Sequence, residues 1–218
     1  MDIGVPIDVK KFIDKEISKG VRRQVVPLIQ QAYELVDASI KDIFFLQWAL
    51  GKKHIGYLDN IAAQFTLYEA ANKGILKNIT TQIVPNKNKS AYHVELQTEN
   101  VVITINRAQS KDKTARKAMY RSLLQRDNQY FINFDKQEIF EEPGYLELTH
   151  HQINRRVDFV NLGVPDGSGK WFSCIDLTKE LHLVGTSEED KKKNEISREQ
   201  LVRFKNFAQG VHENGGKN

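Results

Sequence analysis

The first third of the chain places apolar residues at helical intervals. Asp8 stands where it can cap a helix carrying Val9, Phe12, Ile13 and Ile17, with Gly20 positioned to stop it, and Val25, Leu28, Ile29, Ala32, Leu35 and Val36 then recur three and four residues apart. Further helical turns are predicted in SIKDIFFLQWAL and in GYLDNIAAQFTLYEAANKG. In the second of these, Leu58, Ile61, Ala62, Phe65, Tyr68 and Glu69 share one face and Gly74 is placed as a C-terminal cap.

Near Ile75 the period changes from helical to two. ITTQIV, AYHVELQT and VVITINR are rich in β-branched and alternating residues, and Thr98-Glu99-Asn100 between the last two suits a tight hairpin. The segment KDKTARKAMYRSLLQRDNQ has helix-forming composition. After it YFINF, YLELTH, VDFVNLGV and WFSCIDLTKEL read as strands, joined by turn signals at Glu142-Pro143-Gly144 and at GVPDGSGK. At the end, ISREQLVRFKNFAQGV makes a helix with Ser197 and Gln200 in capping-box register and Leu201, Phe204 and Ala208 on one face, suited to docking on the body or on a partner. The expected fold class is α+β, in three regions. Residues 1–74 form a helical N-terminal region, and 75–186 a mostly antiparallel sheet with a helix inserted at about 111–128. Residues 187–218 hold a charged linker with Lys191, Lys192 and Lys193, the C-terminal helix and a mobile tail.

Composition narrows the class. Of 218 residues, 40% are apolar and 28% charged, which supports a folded core rather than wholesale disorder. The charged N-terminal stretch resembles no secretory signal, IFFLQWAL is far short of a membrane span, and the single cysteine, Cys174, can form neither an internal disulfide nor a cysteine-based zinc site. The expectation is a soluble, cytoplasmic protein with no cofactor. The net charge of +4 is unevenly spread: residues 76–127 carry ten cations against four carboxylates, whereas 128–174 carry four against seven.

That basic segment is the most informative candidate site. If it is helical throughout, Lys113, Lys117 and Arg121 fall at i, i+4 and i+8 on one stripe, with Arg116 and Arg126 beside them, while Ala118, Met119, Leu123 and Leu124 anchor the helix. Tyr120 adds a ring for stacking or packing, so the constellation suits nucleic acid or an acidic protein partner. The competing reading is a solvated helix whose arginines pair with Glu138, Glu141, Glu142 and Glu147. On the first reading the protein is a non-catalytic intracellular binding or regulatory protein, compatible with a toxin–antitoxin or phage-defence setting. Two alternatives are a structural or oligomeric subunit using the terminal helix, and a metal-dependent nuclease or phosphodiesterase using Glu95.

The nuclease alternative rests on Glu95-x-Gln97, a weak variant of the carboxylate motif that holds magnesium on adjacent strands. No Asp or Glu occurs from Ile75 to Val94 to complete it, and a solvent-facing position on a half-buried strand explains Glu95 equally well. His150 and His151 lie eight and seven residues before Asp158, but adjacent strand histidines point to opposite faces and no metal-binding spacing is present. In GVPDGSGK, five residues separate Gly163 from Gly169 and Trp171 follows Lys170, so the phosphate-loop pattern fails. Pro165, Asp166, Gly167 and Gly169 instead suit a hairpin turn. Ser168 then sits at a hairpin tip rather than on a nucleophile elbow.

Overall fold

The computed structural model describes residues 8–86, 89, 91–129, 132–133, 138–139, 142–180 and 196–210. The charged run with Lys191, Lys192 and Lys193 and the tail after Gly210 lie outside them. The fold is α+β. Helices α1 (Val9–Glu16), α2 (Lys19–Asp42), α3 (Ala49–Lys52) and α4 (Ile55–Asn72) precede a six-stranded sheet of order β1-β2-β3-β6-β7-β8, and α6 (Arg198–Ala208) follows it. The strands are β1 (Thr80–Pro85), β2 (Tyr92–Gln97), β3 (Val102–Arg107), β6 (Tyr145–Ile153), β7 (Arg156–Pro165) and β8 (Trp171–Asp176). Every neighbouring pair is antiparallel except β3 and β6, which run parallel across a crossover containing α5 (Met119–Gln129) and the two-residue strands β4 (Ile132–Asn133) and β5 (Glu138–Ile139).

Local chemistry accounts for most boundaries. Asp8 caps α1 by accepting from the N–H groups of Lys10 and Lys11. Gly20 does not stop that helix: α1 ends at Glu16, Ser18 caps α2 by accepting from Val21 N–H, and Gly20 falls in the first turn of α2. Gly74 ends α4 with φ near +72°. The β6–β7 hairpin turns through Asn154 and Arg155, both at positive φ, as a two-residue primed turn requires. Arg155 then ties that turn to the helices, donating to Asp37 at 2.6 Å, to the fully buried Asp59 at 2.8 Å and to the Tyr33 carbonyl at 2.7 Å.

The sheet is covered on both faces. Val94, Leu96, Ile103, Ile105, Leu146, Leu148, Val160, Leu162 and Val164 alternate onto one face and join α1, α2 and α4 in a single apolar cluster. Helix α4 is buried through Ala62, Ala63, Phe65, Leu67, Ala70 and Ala71 because α2, the sheet and α6 surround it. The terminal helix spends its apolar face within the chain: Phe204 and Phe207 pack on Phe65, Phe207 also meets Tyr68, and Arg203 pairs with Glu69 at 2.9 Å. At Gly163 a side chain would collide with the Ser173 carbonyl and with Cys174 on β8, so this glycine is required by strand packing.

His150 belongs to the apolar face and is fully buried, 2.7 Å from the Tyr33 hydroxyl through Nδ1. Burial, reinforced by the positive charges of Arg107 and His151, pulls its pKa from the ordinary 6.5 down to about 3. The folded state therefore holds the ring neutral while the unfolded chain charges it below about 6.5. Its contribution to stability is complete above that pH and is lost as pH falls towards 3, at up to about 1.4 kcal/mol per pH unit. Urea unfolding at pH 6.5 and pH 5 should show wild type losing roughly 2 kcal/mol more than His150→Leu across that interval. Equal losses would place the titration elsewhere.

Candidate anion-binding groove

The opposite face of the sheet is polar and buried. His93 and Glu95 on β2, Thr104 and Asn106 on β3, Tyr145, Glu147 and Thr149 on β6 and Asn161 on β7 are each at most 9% exposed. Alternation alone reads these positions as solvent-facing; here a second cover lies over them. It consists of α5 and an extended strap, residues 113–118, that precedes it.

The expected helix over about 111–128 is thus only partly formed. Helix α5 begins at Met119, and Lys113, Thr114, Ala115, Arg116 and Lys117 run as strap. Tertiary partners outcompete the helical propensity of this stretch. Lys113 bridges antiparallel to Lys170, Thr114 N–H donates to the Gly169 carbonyl at 3.1 Å, and Ala115 N–H donates to Glu147 Oε1 at 3.0 Å. The Lys111 carbonyl accepts from Asn161 Nδ2 and Trp171 Nε1. The glycine loop forms the expected hairpin tip, where Asp166 accepts from the N–H groups of Ser168 and Lys170 while Gly167 and Gly169 take positive φ.

Arg121 fixes the cover to the sheet. It is 8% exposed, and its guanidinium donates to Asn106 Oδ1 and Tyr120 Oη, both at 2.6 Å, and to the Arg116 carbonyl. Asn106 continues the network to Thr104, which meets the Tyr145 hydroxyl at 2.7 Å. Tyr120 stacks on His93 with ring centroids 3.8 Å apart, and Asn128 closes the far end on the Tyr145 backbone at 2.7 and 3.1 Å. Burial pushes the Glu147 carboxyl above the usual range, opposed by the Arg121 charge, by the Ala115 N–H and by Gln125. Tyr120 is half-buried and Arg121 buried, and both are engaged in this network. Met119 and Leu123, expected to anchor the helix, are instead exposed.

At the end of β3, between the strap and the start of α4, lies a groove of about 890 Å³. Lys53, Arg107, Lys113, Arg116, Lys117, Arg121 and Lys170 line it, and among the described residues no carboxylate does. Four separate stretches converge here: the start of α4, the end of β3, the strap with α5, and the glycine hairpin. Gly56 makes room for Arg107, whose guanidinium occupies the space where a side chain at 56 would begin. The predicted set is thus divided. Lys113, Arg116 and Lys117 line the groove as exposed strap residues, Arg121 lies at its floor, Tyr120 packs beneath, and Arg126 is exposed on α5 outside the groove lining. Lys53, Arg107 and Lys170 were not among the predicted residues, because distance along the chain hides their convergence.

The other candidates remain apart. Glu95 lies 3.0 Å from His93 Nε2 and 3.5 Å from Gln97 Nε2, and among the described residues no group of three or more His, Cys, Asp or Glu side chains is placed to hold a metal. His151 pairs with Asp158 at 3.2 Å, on the face opposite His150. Of the acidic stretch, Glu142 pairs with Lys15 at 2.7 Å and Glu147 lies in the polar layer. Glu141 and the side chain of Glu138 are outside the described residues.

If Arg121 is the anchor, Arg121→Met should cost about 2–3 kcal/mol in urea unfolding, the scale of buried hydrogen bonds to a charged group. Amide exchange at Ala115 and Arg116 should accelerate at the same time. Lys117→Glu, on the exposed strap, should stay within about 0.5 kcal/mol of wild type. No family model, curated protein or solved structure matches the chain.

Proposed function

We propose that this protein binds nucleic acid, holding the sugar-phosphate backbone in the basic groove. The observation that carries the reading is the convergence of seven cationic side chains from four separate stretches, with no carboxylate among the described lining residues. Such an arrangement works against the fold. The bridge between Lys113 and Lys170 sets two like charges opposite each other, which destabilises a strand pair. An anion in the groove would offset that repulsion, and a repeating phosphate chain can engage several of these cations at once as one isolated anion cannot. Arg107 and Arg116 offer forked donors suited to phosphate oxygens, while Lys53, Lys113, Lys117 and Lys170 supply point charges.

A chain with a pI near 9.0 attracts any polyanion weakly, so position matters more than net charge. Lys117→Glu/Lys170→Glu should weaken oligonucleotide binding at near-physiological salt by about tenfold or more and flatten the plot of log affinity against log salt by roughly 1.5. Lys77→Glu/Lys205→Glu makes the same change in net charge at two exposed lysines outside the groove and should leave both quantities near wild type. Equal losses in the two variants would reduce the binding to bulk charge. Loss of binding to an acidic polypeptide but not to oligonucleotide would favour a protein partner.

A further inference from the structure

The groove adjoins a second cavity of different character. A cleft of about 270 Å³ lies between α4, the β1–β2 hairpin and the end of α6, walled by Tyr57, Ile61, Ile83, Tyr92 and Phe207. Two of its polar side chains are already engaged: Gln64 donates to the Ile105 carbonyl and accepts from Val94 N–H, and His93 Nε2 faces Glu95. Tyr57 belongs to both cavities and is 66% exposed, and Tyr92 on the cleft wall is 58% exposed. A large exposed aromatic ring standing at the junction of a cationic groove and a cleft walled by further rings suits a ligand whose charged backbone carries flat groups to one side.

We infer that the ligand of the groove is single-stranded nucleic acid, its phosphates lying along the cations while a base crosses the Tyr57 ring into the cleft beside Tyr92. The inference rests on the groove reading above. The cleft is slightly smaller than the roughly 300–1,000 Å³ of sites that enclose whole drug-sized ligands, which is the scale of one base. A duplex keeps its bases stacked and paired, so delivering one to the cleft requires unpairing it. Because exposed tyrosine rings stand at the cleft, stacking supplies binding whichever base enters.

The test is fluorescence anisotropy on the full chain at near-physiological salt. Three labelled probes of equal length are used: an oligothymidylate of about 15 nucleotides, the same backbone with abasic residues, and a hairpin duplex. Oligothymidylate should bind about tenfold or more tightly than either other probe. Tyr57→Ala and Tyr92→Ala should each weaken it by about fivefold or more while leaving the abasic probe within about twofold of wild type. Tyr57→Phe should retain binding, and thermal unfolding checks that these exposed positions leave the fold intact. If the abasic or duplex probe binds as tightly as oligothymidylate, or the tyrosine variants match wild type, the single-strand inference is overturned. In that case the groove reading survives so long as Lys117→Glu/Lys170→Glu still weakens binding by about tenfold or more. If that variant binds every probe like wild type, or wild type binds none, both fall.

Discussion

The arrangement of this protein depends on one buried guanidinium. Arg121 enters a layer made from the polar sides of four strands and satisfies Asn106, Tyr120 and the Arg116 carbonyl together. An arginine removed from water is costly unless its donors are used, and its charge in turn opposes the upward push that burial gives the Glu147 carboxyl on β6. The consequence is geometric. With Arg121 held, the strap at Arg116 cannot drift from the sheet, and Glu147 holds the strap a second time through Ala115 N–H. The strap in turn pairs with the glycine hairpin, which brings Lys170 beside Lys113. The groove is therefore an outer consequence of the buried polar layer.

Much of the fold was legible in the sequence because local signals agreed with tertiary demands. The Asp8 and Ser197 caps, the Gly74 terminus, the glycine hairpin and the change of period near Ile75 all have local causes, and each is present in the structure. Two readings failed where a distant partner decided the outcome. Residues 111–118 have helix-forming side chains, yet their backbone groups pair with Gly169, Lys170 and Glu147, so only the part from Met119 onward coils. The alternation in VELQ, ITIN and LELT reads as a sheet with one wet face. Nothing local indicates that α5 and the strap return to cover it, which is why a solvent-facing position served as one explanation of Glu95, a residue that is in fact buried.

The groove was legible only in part, for a related reason. Charge counting located the positive excess in residues 76–127, which contains Arg107, Lys113, Arg116, Lys117 and Arg121. It could not separate Arg121, turned inward, from Lys117 four residues earlier, turned outward, because both carry the same charge. Nor could it join Lys53 and Lys170, each lying in a segment without a strong positive excess. Lys170 is the instructive case. Its Gly-Lys context suggests a phosphate loop by pattern, and the flanking strands rule that loop out. The hairpin nonetheless delivers the lysine to the wall of the basic groove through its pairing with Lys113.

The two layers on this side of the sheet obey opposite electrostatic rules. In the inner layer, Arg121 is bonded and matched by a carboxylate, as low-dielectric surroundings demand. In the outer layer, cations gather without such compensation among the described lining residues, which water can screen but packing does not require. Asn106 and Arg121 belong to both, lining the groove while bonded within the buried network. A backbone phosphate at the groove floor would therefore meet donors already held in place by Tyr120, Thr104 and the Arg116 carbonyl, so little ordering remains to be done when it arrives. On the proposed function, an extended anion would relieve the like-charge strain between Lys113 and Lys170 and a neutral partner would not.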